Sequence, residues 1–338
     1  MTGRVTISDV AREAGVSLMT VSRVINGKGE ISASTRQHVL DVIELLGYRP
    51  SGIARGLATQ RTGTIGLVVP DIANPFFSDV ARGAEDRARA AGYHVFVCNA
   101  DESPQRELSV LESLEEKRVD GLVLCSSRVE DDHLRAALEH HPAAVLVNRR
   151  LPEARVGAIM LADDAGAQLA IQHLLQSGHR AIGFLAGPLT SYSSRQRAIG
   201  YEAALEAAGI SHNLDWVRPC SYEVNGGKET ALALLSGHPE LTALFCYNDL
   251  VAVGALQACA DLGLQVPEDL AIVGFDDIPM AAVVTPALTT CRVPRHELGD
   301  QAMKLLLDRI HGRTEDCGEL ILYPTLIVRA SAPSRPGP

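Results

Sequence analysis

Between Leu18 and Asn26 the chain reads L-M-T-V-S-R-V-I-N, and its side chains separate into two sets at helical spacing. Val21, Val24 and Ile25 fall on one face. Met19, Ser22, Arg23 and Asn26, at i, i+3, i+4 and i+7, fall on the other, with Leu18 at its exposed N-terminal end. The second set can do chemistry. An arginine offers a rigid fork of donors that matches the paired acceptors of a guanine edge in the major groove, while Leu18 and Met19 can press on thymine methyls or exclude wrong bases. Thr6, Ser17 and Thr20 are hydroxyl side chains placed to bond phosphates, which sets register without reading sequence. Each residue has a plainer use, since an exposed arginine on a short helix is commonly a solvated charge and single exposed Leu or Met side chains are ordinary. The ordered set of cap, glycine turn and T-V-S-R-V-I-N run favours the DNA-reading alternative.

Those residues need a scaffold. Thr6-Ile-Ser-Asp9 has the S/T-x-x-D/E form of a capping box and opens a helix with Ile7, Val10, Ala11 and Ala14 on one face; Gly15 ends it. Ser17 is the N-cap expected for the helix that carries Arg23. A third helix, near Ala33 to Leu46, is expected to bury Val39, Val42, Ile43 and Leu46 against the other two. The spacing therefore predicts an all-α helix-turn-helix head over residues 1–48, joined by a linker over 49–62 to the rest.

From Thr64 the pattern changes. Short apolar runs rich in β-branched residues alternate with helical patterns: TIGLVVPD, HVFVCNA, GLVLCSS and AAVLVN, each separated by an amphipathic stretch. Strands buried on both faces and separated by helices imply parallel, doubly wound sheets. The rhythm restarts after residue 162 through AIGFLAG, WVRPCS, ALFCYN and LAIVGFDD, so the α/β body over 63–330 is expected to consist of two lobes facing across a cleft. The first lobe should hold about 63–162 plus 292–322, the second about 163–291 plus 323–330, and residues 331–338 read as a frayed tail.

Composition narrows the function classes. The chain has 338 residues and a net charge of −10, but the charge is uneven. Residues 1–61 hold eight Lys and Arg against five Asp and Glu, leaving 23 basic against 36 acidic residues, or −13, for the remainder. A basic head on an acidic body fits a local phosphate-binding patch. No apolar h-region opens the sequence and no apolar run is long enough to span a bilayer, so a cytoplasmic, nucleoid-associated location without membrane contact is expected. The seven cysteines are scattered and never spaced C-x-x-C, which predicts reduced thiols and no zinc site. There is no G-x-G-x-x-G after a strand, no P-loop, no H-E-x-x-H and no G-x-S-x-G; Asp163-Asp164 and His140-His141 read as solvated pairs, so neither catalysis, metal nor cofactor is expected.

T-I-S-D-V-A-R-E-A-G-V-S-L-M-T-V-S-R-V-I-N-G-K at Thr6 to Lys28, G-Y-R-P at Gly47 to Pro50 and A-R-G-L at Ala54 to Leu57 resemble the lactose-repressor (LacI/GalR) family of bacterial transcriptional regulators. D-I-A-N-P-F-F at Asp71 to Phe77, K-R-V-D-G-L at Lys117 to Leu122, N-D at Asn248 and Asp249, V-G-F-D-D at Val273 to Asp277 and T-P-A-L-T-T at Thr285 to Thr290 extend the resemblance over essentially the whole chain. The family implies a homodimer whose paired heads read a pseudo-palindromic operator in double-stranded DNA. It also implies a body like the periplasmic sugar-binding proteins. By the same resemblance Ser51 to Thr59 forms a hinge helix on DNA, with Ala54 and Arg55 at the duplex and Leu57 as the wedge between central bases. Gly52 and Gly56 depart from this pattern, each costing about 1 kcal/mol of helix stability.

Carried over singly, the family's effector-binding positions fall on Asn74, Phe76, Phe77, Ser126, Asn148, Arg149, Ser193, Arg197, Tyr222, Asn248 and Asp276. Forked donors, carboxylate acceptors and aromatic plates are what polyol recognition requires, so the resemblance implies allosteric control by a small sugar-like effector, with ribose or another pentose or hexose as the lean. Ser191 and Ser193 stand where purine-sensing members carry larger groups, and Ala162 stands near a position often acidic in relatives. A purine-type co-repressor and a sugar-binding protein without regulatory role remain the alternatives.

Overall fold

Each helix of the head starts on a hydroxyl cap. The computed structural model describes residues 5–27, 29–49, 61–152, 156–314 and 318–334, and the chain divides into two units, 1–63 and 64–338. Helix α1 (Ile7–Glu13) carries the reciprocal capping box: the Thr6 hydroxyl accepts from Asp9 N, and Thr6 N donates to Asp9 Oδ2 at 3.0 Å. Gly15, in the left-handed region at φ 61°, ends that helix and lets Val16 N reach back to Ala11 O. Ser17 Oγ then accepts from Thr20 N at 3.1 Å to open α2 (Leu18–Asn26), and Ser32 opens α3 (Ala33–Leu45) in the same way. Val10, Ala11, Ala14, Val21, Val24, Val39 and Val42 close a small core, with Ile43 and Leu46 packed partly buried at its margin.

The second unit contains, among the described residues, two sheets of six strands. The first sheet takes β1 (Thr64–Val69), β2 (His94–Asn99), β3 (Gly121–Cys125), β4 (Ala144–Val147), β5 (Gly157–Leu161) and β11 (Glu319–Leu322) in the order β11-β5-β4-β3-β1-β2, all parallel. Helices α4 (Pro75–Ala90), α5 (Pro104–Glu116), α6 (Asp131–Glu139) and α12 (Arg295–Ile310) belong to this lobe. The second sheet repeats the plan with β6 (Ile182–Ala186), β7 (Val217–Pro219), β8 (Ala243–Cys246), β9 (Ala271–Asp276), β10 (Thr289–Arg292) and an antiparallel β12 (Thr325–Ile327), in the order β12-β10-β9-β8-β6-β7. Its helices are α7 (Asp163–Gln176), α8 (Tyr192–Ala207), α9 (Val224–Gly237), α10 (Asp249–Leu262) and the short α11 (Pro279–Val283). The chain passes between lobes three times: from β5 to α7, from β10 to α12 and from β11 to β12.

Each lobe reverses strand order beside its first strand, between β1 and β3 and between β6 and β8. Such a switch point opens a crevice at the carboxyl ends of the strands.

Three sequence expectations need correction. β2 is not buried on both faces: as the sheet edge it leaves Phe96 and Val97 each 47% exposed. Residues 331 and 332 do not belong to a frayed tail, because Ser331 is fully buried, donates from Oγ to Ile272 O and accepts from Thr289 N at 2.8 Å, while Ala332 O contacts His173 Nε2 at 2.8 Å. The pair Asp163-Asp164 is not jointly solvated, since Asp163 is fully buried. Among the described cysteines Cys98 is half-buried and the others are buried as free thiols. No helix among the described residues is long and apolar enough to cross a membrane.

Candidate effector cleft and nucleic-acid interface

The first lobe's wall starts where β1 ends. Asp71 and Asn74 follow that strand, and Asn74 Oδ1 accepts from Phe76 N at 3.0 Å while Pro75 occupies the first turn of α4, where its missing N–H costs nothing. The cap delivers Phe76 and Phe77 to the cleft as an edge-to-face pair, centroids 5.0 Å apart at 82°. Ser126 after β3 and Asn148 after β4 both sit at positive φ, 48° and 52°. Non-glycine residues hold such backbone only where their surroundings over-determine it, and both line the cleft.

The second lobe brings Ser193 and Arg197 from α8, Tyr222 before α9, Tyr247 and Asn248 after β8, and Asp276 at the end of β9. Arg197 is buried. Its Nε donates to Asp163 Oδ1 at 2.9 Å, Nη2 lies 2.8 Å from the same oxygen, Nη1 donates to Tyr247 O, and its guanidinium carbon stands 3.6 Å from the Phe275 ring centroid. Asn148 closes the network across the lobes, donating from Nδ2 to Asp163 Oδ2 at 2.8 Å and to Ser193 Oγ at 2.7 Å. Asn248 caps α10, accepting from Val251 N at 2.8 Å, and donates to Tyr222 O at 3.1 Å, so its helix-capping and cleft-lining roles coexist. Ser191 Oγ lies 3.1 Å from Tyr247 Oη and fixes that ring.

Asp276 stands apart in this network. Its Oδ1 is buried and has no hydrogen-bond partner among the described residues, although Arg197 Nη2 lies 3.7 Å away. Burial pushes its carboxyl up to about 7, against the pull of Arg197 and Arg295 and with Asp163 adding to the rise. Its neighbour Asp249, also buried, is raised well above the carboxylate range by burial and by Asp276, although Thr290 Oγ1 at 2.6 Å and Ile278 N at 2.8 Å bond it.

Of the residues singled out in the sequence, Asn74, Phe76, Phe77, Ser126, Asn148, Ser193, Arg197, Tyr222, Asn248 and Asp276 come together around one cleft. Arg149 does not line it. Its Nη2 turns to Val129 O at 3.0 Å and Asp131 Oδ1 at 2.6 Å, which anchors the loop after β3. Asp71, Glu102, Arg128 and Tyr247 line the cleft and were not singled out. Each stands just after a parallel strand (Asp71 after β1, Glu102 after β2, Arg128 after β3, Tyr247 after β8), and that placement is the signal that could have found them. Next to Ala162, the buried Asp163 is the acid that bonds Arg197 and Asn148.

On the head, Leu18 and Met19 are 50% and 62% exposed and Arg23 is exposed beside them, while Ser22 and Thr20 are half-buried. The Thr6 hydroxyl donates to Asp9 Oδ2 at 2.7 Å, and Ser17 Oγ lies 2.9 Å from Thr20 Oγ1. Asn26 ends α2; its side chain, and Ala54, Arg55 and Leu57 of the expected hinge, lie outside the described residues.

Comparison with known proteins agrees with both halves. Residues 6–51 match the family described as "Bacterial regulatory proteins, lacI family", and residues 62–326 match "Periplasmic binding proteins and sugar binding domain of LacI family". The chain is 37% identical to Catabolite control protein A of Priestia megaterium over 92% of its length and 94% of the relative's. It is equally 37% identical to the HTH-type transcriptional repressor PurR of Haemophilus influenzae (strain PittEE), covering 97% and 99%. Among solved structures, the lac repressor dimer bound to operator and the anti-inducer ONPF superposes with a TM-score of 0.88 at 28% identity, covering 98% of this chain and all of that one. The complex of the transcriptional regulator CelR with cellobiose gives 0.76 at 33% identity, over 97% and 100%. With both its head and its two-lobed body matched, the chain belongs to the LacI family of bacterial transcriptional regulators.

Proposed function

We propose that this protein represses transcription as a homodimer, reading a pseudo-palindromic operator with Leu18, Met19 and Arg23, and that a small polyhydroxy effector in the cleft controls its grip. The observation that carries the effector half is Asp276 Oδ1, buried and unbonded beside Arg197 in a cleft that two phenylalanine rings also line. Burying such an acceptor without a partner is costly, and a sugar hydroxyl supplies the missing donor while the rings take its C–H faces. The lac repressor structure bound to operator and the CelR structure bound to cellobiose support the two partners by likeness. With duplex DNA as partner, the site of action is the cytoplasmic nucleoid. The protein acts as a regulator and not as an enzyme.

Operator selection from random duplexes with the full chain, followed by titration of salt and of neutral sugars, tests this. Sequence-specific binding that weakens steeply with salt and shifts with a sugar is expected, and the direction of the shift tells induction from co-repression. Absence of any sequence preference at moderate salt would sink the reading.

A further inference from the structure

Among the described residues two cationic side chains line the cleft, Arg128 and Arg197, and both are already engaged. Arg128 is 5% exposed; its Nε and Nη2 donate to the two carboxylate oxygens of Glu102 at 2.5 and 3.1 Å, and its Nη1 donates to Ser126 O at 2.8 Å. Arg197 is balanced by Asp163 in the manner already described. Each arginine therefore has its own carboxylate, and Asp71 and Asp276 remain in excess on the lining. Asp71 Oδ1 accepts from Ala73 N at 3.0 Å, which holds the acid at the mouth.

The turn that carries Glu102 is unusual. Asp101 and Glu102 are consecutive non-glycine residues at positive φ, 55° and 53°, and the turn is tied by Glu102 N to Pro70 O and by Arg106 Nη1 to Asp101 Oδ2. Two left-handed residues in succession cost backbone energy, and the arrangement they hold places a carboxylate flat against the Arg128 fork. Charge around Tyr222, across the cleft, has the same sign. Burial first, then Glu102, Glu223, Asp71 and Asp101, push its phenol up to about 12, and each of those four residues is acidic.

Resting on the proposed sugar-sensing role, we propose that the cleft selects an uncharged polyhydroxy effector and rejects sugar phosphates and sugar acids, and that Glu102 is the residue that sets this specificity by occupying Arg128. An anion entering the cleft finds both guanidinium forks filled and meets two further acidic side chains, Asp71 and Asp276, neither of which accepts a hydrogen bond from an arginine of the lining. To bind, it must either displace Glu102 from a nearly dry ion pair or leave its own charge unpaired, and both are unfavourable. A neutral polyol meets neither obstacle, because its hydroxyls donate to the spare carboxylate oxygens.

Inorganic phosphate is a probe that needs no knowledge of the effector. Thermal unfolding of the full chain is followed while phosphate is titrated into wild type, Glu102→Gln and Glu102→Gln/Arg128→Gln at constant ionic strength. Glutamine keeps the size of Glu102 and one acceptor oxygen but no charge. The head's own affinity for anions is common to the three proteins and drops out of the comparison. Glu102→Gln is expected to be stabilised saturably, with affinity at least roughly tenfold above wild type, and the double variant to lose that gain. Saturable stabilisation of wild type as strong as that of Glu102→Gln would overturn the proposal, as would a phosphorylated or acidic sugar binding wild type more tightly than its neutral parent. If the phosphate results hold and no neutral sugar stabilises wild type, the sugar reading fails while anion rejection by Glu102 stands.

Discussion

Asp276 Oδ1 stands 3.7 Å from Arg197 Nη2, too far for a hydrogen bond and too close to ignore the charge, while Asp163 holds the same guanidinium at 2.8 Å. The arginine is thereby fixed by one carboxylate and left within reach of another whose bonding capacity is unspent. A hydroxyl that donates to Asp276 Oδ1 completes the set. Asp276→Asn keeps the shape but weakens the acceptor, and a hydrogen bond to a charged group is worth about 1.5–3 kcal/mol. Calorimetric titration with the sugar that binds wild type should show a loss of roughly ten- to hundredfold in affinity. An unchanged affinity would remove Asp276 from the contact set.

The same carboxyl should make the ligand-free protein pH-sensitive. Its ordinary value is 3.8 and burial raises it to about 7, so between those values the folded chain holds a proton that the unfolded chain releases. Stability from this group is fully present below about pH 4 and is lost as pH rises through 7. Arg197, Arg295, Asp163 and Asp249 face it, and the comparison with Asp276→Asn reads the Asp276 carboxyl together with its effect on Asp249. Denaturant midpoints from pH 5 to 8 should show wild type losing stability relative to Asp276→Asn as pH rises, and parallel curves would contradict the assignment. Adding effector should flatten the wild-type curve, because a donor to the carboxylate favours its ionised form.

Removing Arg197 should cost far more than removing a surface cation. Asp163 is fully buried and, among the described residues, keeps only Asn148 as side-chain partner when the guanidinium is gone. Arg197→Ala is expected to destabilise the body by about 3–5 kcal/mol in urea unfolding, the cost of an uncompensated buried charge. Asp163→Asn/Arg197→Met should recover part of that loss, and the size of the recovery measures how much of it was charge rather than packing.

How far the site could be read from sequence depends on what each residue's role rests on. The capped helices of the head and the repeated α/β rhythm were legible because capping boxes, glycine turns and hydrophobic period act over a few residues. Asp163 was not, since an Asp-Asp pair looks solvated until a strand crossover folds it under Arg197, which is distant in sequence. Glu102 and Arg128 escaped notice for the same reason: their pairing is made between the ends of β2 and β3, which flank β1 in the sheet, and neither has a local signature. Arg149 shows the reverse error, as a strand-end position in the right register whose side chain is drawn away by Asp131. At Ser331 the misleading feature was the nearby proline-rich terminus, which hid a residue that knits three segments of the second lobe.

The exposed edge of the first sheet bears on the dimer. Phe96 and Val97 lie on β2, whose outer side lacks a neighbouring strand among the described residues, and an apolar unpaired edge is an association site unless something covers it. A second copy of the chain is the occupant consistent with the proposed homodimer. Phe96→Asp/Val97→Asp should weaken the dimer, shifting sedimentation velocity toward monomer at micromolar concentration while leaving effector binding to the separated chains intact. A dimer as tight as wild type would place the interface elsewhere.

Arg23 offers the sharpest test of the head. It lies on the same exposed face as Leu18 and Met19, on a helix fixed by the Ser17 cap and by Val21 and Val24 in the head's core, so truncating it leaves the fold's supports in place. A phosphate contact and a base contact then separate by experiment. If Arg23 forks a guanine, Arg23→Ala costs about 1–3 kcal/mol on the preferred operator and relaxes choice at one position of each half-site, while binding to non-specific duplex barely changes. If it only neutralises phosphate, every sequence weakens alike and the slope of affinity against salt falls by about one counterion per head. Selection of operators by the variant, read against wild type at two salt concentrations, decides between them, and retained selectivity at every position would remove Arg23 from base reading.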